Sequence, residues 1–314
     1  MKREGMMIFA VLAVLVLVSG CGSGNSSTTS SDKTPFVGGT EGLSIDFMDG
    51  APPPEVYDGG NYPFEVALRV QNKGEHDVPA NEVTVELTGI DPADFSVSPA
   101  DLVKHPDEDL LGTMKDSDGN IIDGTITYIN FPNFNYAGQL SGNMIFTLRA
   151  DACYTYETVA NTKLCIIEDV LDFDAETVCK VNEKKTVFNS GAPVQVTSFE
   201  QSPMGQNRIS FTFEVSHAGL GKIYGEGTNC DSTVTNEDKV YVEVDTGIEG
   251  HPADCPGLGG GPSGTITLYG GKRTIRCNQD VSGATTNYEK VITIRLRYDY
   301  EQTASKTLLV KHAS

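Results

Sequence analysis

The stretch Phe64-Glu65-Val66-Ala67-Leu68-Arg69-Val70-Gln71-Asn72-Lys73-Gly74 places apolar side chains at every second position and stops at a glycine. A period of two is the signature of a strand with one buried face, because successive side chains leave a strand on opposite sides. A second stretch has the same form: Ile209-Ser210-Phe211-Thr212-Phe213-Glu214-Val215-Ser216-His217-Ala218-Gly219. The two lie about 145 residues apart. Gly50-Ala51-Pro52-Pro53 and Gly191-Ala192-Pro193-Val194 look like a second matched pair, about 141 residues apart. A strand followed by a turn, met twice, reads as an internal duplication.

β-branched or alternating runs fill the chain between turn signals. They cover 42–47, 82–87, 124–131, 143–152, 194–199, 239–244, 264–269, 273–277, 291–300 and 307–310. Short strands at this density predict sandwiches. The nearest approach to helical periodicity, 168–177, is short and acidic. The expected fold is all-β, with two tandem immunoglobulin-like β-sandwich domains at 37–181 and 192–314. The polar, glycine-bearing run NEKKTVFNSGA marks the junction between them.

Val70-Gln71-Asn72-Lys73-Gly74 followed by Val83-Thr84-Val85-Glu86-Leu87 resembles the strand–turn–strand of CARDB-type and related immunoglobulin-like domains. The whole is similar to uncharacterised prokaryotic, archaeal-type surface lipoproteins with paired β-domains. The resemblance covers about 30 residues of each half. In the second copy Ser216-His217-Ala218 stands in place of the Asn-Lys pattern. The resemblance implies an extracytoplasmic adhesion or scaffold role and assigns no functional residue.

The N-terminus supplies an address. Lys2 and Arg3 precede an apolar run at 6–18, which ends at Ser19-Gly20-Cys21. That run is shorter than the ~20 residues a spanning helix needs. It matches the core of a secretory signal. Small residues before Cys21 read as a lipobox, with residues 1–20 removed and Cys21 lipidated. The alternatives are cleavage without lipid, and pilin-type processing after Gly5. Residues 21–36 are a Gly/Ser/Thr tether whose coil dimension is roughly 20 Å. Asn25-Ser26-Ser27 is a glycosylation sequon within it. A lipid anchor contributes about 0.8 kcal/mol per buried CH₂, so more than one acyl chain is needed to hold firmly.

The formal charge is −20. Such acidity argues against a nucleic-acid partner, whose phosphates need Lys and Arg. It argues equally against peripheral binding to anionic lipid. The expected partners are the membrane, through the anchor, and a protein or surface polymer.

Seven cysteines are present. With Cys21 assigned to lipid, Cys153, Cys165, Cys179, Cys230, Cys255 and Cys277 form an even set that reads as three disulfides in an exported chain. No CxxC pair suggests zinc. Three cysteines fall on each side of the junction, so full pairing requires at least one bridge across it. Cys153 and Cys165 are expected to face each other across a hairpin turning near 159–161. Cys165–Cys179 is the rival. Cys255–Cys277 would close a glycine-rich loop, leaving Cys179–Cys230 to join the halves.

Candidate chemistry is sparse. Asp116, Asp118, Asn120 and Asp123 alternate oxygen ligands like a short calcium loop, but Thr127 stands where an EF-hand needs a bidentate acid. The competing reading is a hairpin turn built on Asp118-Gly119. Phe131, Phe134 and Tyr136 read either as core or as a stacking surface. The run at 257–264 (GLGGGPSG) lacks the context of a phosphate loop. His251 near Cys255 looks superficially catalytic, but a bridged cysteine is no nucleophile. No cofactor is expected, calcium excepted. The sequence therefore predicts a lipid-anchored cell-surface protein with a non-enzymatic adhesion, envelope or assembly role. The alternatives are a pilus-like filament subunit, or an exported hydrolase or ligand-binding lipoprotein.

Overall fold

The computed structural model describes residues 34–170 and 178–313. Residues 1–20, read as a signal, Cys21 and residues 22–33 of the expected tether lie outside the described residues. The fold is all-β, with no α-helix among the described residues. Among the described residues nine strands precede the junction: β1 (Leu43–Phe47), β2 (Glu55–Tyr57), β3 (Phe64–Asn72), β4 (Val83–Thr88), β5 (Val103–Lys104), β6 (Met114–Lys115), β7 (Ile121–Ile122), β8 (Ile126–Phe134) and β9 (Met144–Ile166). Nine follow: β10 (Glu183–Lys184), β11 (Phe188–Asn189), β12 (Val194–Pro203), β13 (Arg208–His217), β14 (Lys222–Tyr224), β15 (Lys239–Asp245), β16 (Ser263–Thr267), β17 (Lys272–Asp280) and β18 (Tyr288–Lys311).

The two strands that opened the sequence reading, β3 and β13, are each interior to a small sheet. β3 lies between β1 and β8, and β13 between β12 and β17. Their apolar faces are buried: Val66, Leu68 and Val70 in one, Phe211, Phe213 and Val215 in the other.

Both small sheets lie against one larger sheet ordered β16-β15-β18-β9-β4-β5, with β2, β11 and β14 added at its margins. Its middle is the antiparallel pair β9–β18, in register from Tyr288↔Ile166 to Val310↔Met144. β9 runs unbroken for 23 residues. Leu148, Ala150, Ala152, Tyr154, Tyr156, Thr158, Ala160, Thr162 and Leu164 are buried at alternate positions along it. No glycine or proline interrupts it, so nothing ends the strand at 159–161 where a turn was expected. The pair crosses the junction, and Thr34 to Ser314 form one compact unit with a continuous core. The boundary at 181–192 divides neither the central sheet nor the core.

The long strand also corrects the disulfides. The bridges are Cys153–Cys230, Cys165–Cys179 and Cys255–Cys277. Cys153 and Cys165 sit on the same continuous strand, roughly 40 Å apart at 3.3 Å per residue. They cannot pair, and so the Cys179–Cys230 bridge inferred by elimination does not form. The rival Cys165–Cys179 and the loop-closing Cys255–Cys277 do form. The bridge joining the halves is Cys153–Cys230, with Cα atoms 6.0 Å apart.

The duplication shows in the pairing. Leu43 opposes Asn72 at the end of the β1–β3 ladder, and Val194 opposes His217 at the end of β12–β13. Gln71 opposes Ile126, and Ser216 opposes Lys272. β4 lies on residues 149–154 of β9, and β15 on 293–297 of β18. The Gly-Ala-Pro turns do not correspond: the one at 50–52 follows β1, whereas that at 191–193 precedes β12.

Candidate functional site

At the junction of the halves, four tyrosines stand in two Tyr-x-Tyr pairs. Tyr154 opposes Tyr300 across the β9–β18 ladder, and Tyr156 opposes Tyr298. All four are buried, and each hydroxyl has a partner, as burial of a polar group demands. The Tyr154 hydroxyl accepts the Leu43 N–H at 3.0 Å, and the Tyr298 hydroxyl accepts the Val194 N–H at 3.3 Å. The Tyr156 hydroxyl donates to Asn72 Oδ1 at 3.3 Å and accepts the His76 N–H at 3.4 Å. In the same way the Tyr300 hydroxyl meets His217 Nε2 at 3.0 Å and accepts the Gly221 N–H at 2.7 Å. Asn72 thus corresponds to His217, and His76 to Gly221. Burial raises all four phenols above their ordinary range, Tyr300 to about 12. They therefore serve as neutral hydrogen-bonding posts.

Between these posts the chain enters the body. Val37, Gly38 and Gly191 donate their N–H groups to the Glu75 carboxylate at 2.9, 2.8 and 2.6 Å. One acid thereby ties the incoming segment and the inter-half segment to the same turn. Gly74 has to be glycine: a Cβ there would collide with the Tyr156 hydroxyl and the Gly191 carbonyl. Burial lowers the pKa of His76 beside this turn, opposed by the charges of Glu157, Asp77 and Glu82.

A cleft of about 890 Å³ opens beside this junction. Residues 37–46 form one wall, and Ala218, Gly219, Leu220, Tyr300 and Gln302 another. Glu41, Asp46 and Asp123 line it with Lys73, which is 3.4 Å from Glu41. Leu220 is 97% exposed there. Its counterpart is Glu75, whose turn is covered by the entering segment. A smaller cleft of about 290 Å³ lies on that covered side, between Phe36, Glu75, His76, Lys115, Glu157 and Ser190.

Asp299 secures the loop that carries Cys230. Its carboxylate accepts the Thr155 hydroxyl at 3.0 Å and the N–H groups of Gly227 and Asn229 at 3.1 and 2.7 Å. At the other end of the central sheet Asp58 is 2% exposed. It accepts N–H groups from Ala313 and Leu140 and pairs with His312. These partners, the Ala313 N–H foremost, hold its pKa at about 2.

Asp116, Asp118 and Asn120 form the tip of the β6–β7 hairpin, and Asp123 follows β7. The Asp116 carboxylate is already engaged by the N–H groups of Asp118 and Asn120 and by the Asn120 amide. The Asn120 side chain is the main cause of its lowered pKa. Among the described residues no group of three or more His, Cys, Asp or Glu is placed to hold a metal ion. Phe131, Phe134 and Tyr136 are core; Phe134 and Tyr136 pack against Phe95, and Tyr136 against Phe146. The glycine-rich loop is closed by Cys255–Cys277, and Cys255 is fully buried.

The tyrosine posts and the Glu75 tie were missed by sequence reasoning. The repeated Tyr-x-Tyr was the available signal, at Tyr154-Thr155-Tyr156 and Tyr298-Asp299-Tyr300. Glu75 and Asp299 carry no such signal, since their partners are backbone groups distant in sequence.

The chain matches no protein-family profile and no curated protein. Among solved structures it is similar to a secreted serine protease, VesC from Vibrio cholerae, at 10% identity and a TM-score of 0.18, over 82% of this chain and 50% of that one. It is also similar to a red sea bream transglutaminase at 12% identity and a TM-score of 0.17, over 87% of this chain and 32% of that one. The chain thus spans half or less of these two proteins, and likeness at this level carries no argument about activity.

Proposed function

We propose that this is an exported, lipid-anchored cell-surface protein with a non-enzymatic adhesion or assembly role, each half an immunoglobulin-like sandwich. The observation that carries the reading is the disulfide set. Three bridges fit an oxidising, extracellular setting, and together they use six of the seven cysteines. Cys21 then stands apart, behind an apolar run and before a polar tether. The junction supports a binding role rather than a chemical one: its buried groups are neutral phenols and an acid tied to backbone N–H groups.

The test is fractionation with intact-mass analysis of native protein. The expected result is membrane-bound protein, sensitive to protease on whole cells, with acyl mass on Cys21. Cys21→Ser should release it from the membrane. Recovery of the protein from the cytosol with reduced cysteines would sink the reading.

A further inference from the structure

The duplication has a local twofold axis, and one position related by that axis holds no described strand. Tyr154 and Tyr298 are counterparts, as are Tyr156 and Tyr300, and each opposes the other's partner across β9–β18. The exchange is centred on the pair Thr155↔Asp299. Every strand added to the outer edge of β9 should then have a counterpart on β18. β4 has one, which is β15.

Further along β9, β11 pairs at Phe188↔Asn161 and Asn189↔Ala160, and Ser190 exchanges hydrogen bonds with Val159. The counterparts of Val159, Ala160 and Asn161 are Thr303, Ala304 and Ser305. No described strand pairs with them. On that side of β18 the pairing of β14 ends at Glu301, and that of β2 begins at Leu309. Thr303 and Ser305 are exposed, and Gln302, Ala304 and Lys306 are partly so.

No described segment of the chain fills this row. The segment before β12 supplies β11. The matching segment before β1, at 36–39, is held by Glu75 on the opposite side of the axis. The open row therefore adjoins the 890 Å³ cleft, which Gln302 and Tyr300 help to line. Glu41, Asp46 and Asp123 make that cleft acidic, and its Lys73 is paired with Glu41. On the filled side the occupying segment is preceded by Lys185.

We propose that residues Gln302–Lys306 of β18 are a docking edge that accepts an extended, cation-bearing segment of a partner protein by strand addition. Backbone groups give such a site its affinity, and alternate side chains together with nearby charge give it specificity. Five residues of open edge span roughly 16 Å. This deepens the assembly reading but needs no lipid on Cys21, so the two can fail separately.

The probe is the chain's own answer to the filled position, a labelled synthetic peptide with the sequence of residues 185–193, KTVFNSGAP. Fluorescence anisotropy with the full-length protein should show saturable binding, at least tenfold tighter than for a scrambled peptide. The double variant Asp46→Asn/Asp123→Asn should weaken binding several-fold, and a peptide lacking the lysine should be insensitive to that change. Register is read with Ser305→Cys and a peptide carrying cysteine in place of its phenylalanine, which should form a mixed disulfide faster than with Thr307→Cys. Absence of saturable binding, or equal binding of the scrambled peptide, would overturn the proposal. So would concentration-dependent self-association that Ser305→Cys traps as a disulfide between two copies, because the edge would then belong to a second copy.

Discussion

Removing the bridge between the halves should cost more than removing either local bridge. Cys153 and Cys230 are 77 residues apart in sequence, whereas Cys165 and Cys179 are separated by 14 and Cys255 and Cys277 by 22. Loop-closure entropy alone gives roughly 4.5 kcal/mol for the first and roughly 3 and 3.4 kcal/mol for the others. The Cys165–Cys179 loop lies inside the long one and shortens it in the unfolded chain, which trims the first figure to about 4.3 kcal/mol. Cys153 is only half-buried, so Cys153→Ala adds little cavity cost. The carboxylate of Asp299 still holds the loop through Gly227 and Asn229, so the folded geometry should persist. Urea unfolding of Cys153→Ala/Cys230→Ala against Cys165→Ala/Cys179→Ala is the assay. A loss below about 1 kcal/mol, or one smaller than for the local bridge, would refute the entropic reasoning. Peptide mapping that found Cys153 bonded elsewhere would refute the topology itself.

Tyr156→Phe should destabilise by about 1–3 kcal/mol, because it strips a hydrogen-bond partner from Asn72 and the His76 N–H in a buried site. Its counterpart Tyr300→Phe should cost a similar amount, and equilibrium unfolding compares them. Gly74→Ala should cost at least about 1–3 kcal/mol through overlap with Tyr156 and Gly191, seen as a lowered midpoint. His76 has a lowered folded pKa, so its contribution is complete above the ordinary histidine range near 6.5 and is lost as pH falls below it. His76→Gln should flatten the pH dependence of stability in that window. Asp58, held at about 2, contributes stability that is present above the ordinary carboxylate range and lost as pH falls toward 2. Asp58→Asn should remove that acid-side dependence and loosen the 310–313 segment, read as faster amide hydrogen exchange there.

The strands were legible because burial is periodic. The alternation in β3, β13 and β9 reports which face meets the core, and that face is buried almost residue for residue. The partner of each strand was not legible. Nothing local in Val159-Ala160-Asn161 says that the chain runs straight on. The absence of glycine and proline there was the usable sign, and it outweighs the expectation that a long strand must fold back. The wrong disulfide pairing followed from that one misplaced turn. The junction was harder still. Glu75 and Asp299 act on backbone N–H groups of distant segments, and only the fold brings those together. The Tyr-x-Tyr repeat was the part of the site the sequence displayed openly.

The long pair at the centre of the large sheet also orders events in time. β18 is the last of the described strands, and its neighbour β9 lies more than a hundred residues earlier. Contacts of such sequence separation form late, because loop closure precedes their reward. A chain emerging N-terminus first cannot complete the sheet until residues Tyr288–Lys311 are available. Until then the halves lack their common layer. The ladder that joins the halves, and the core it covers, can therefore close only once β18 has emerged.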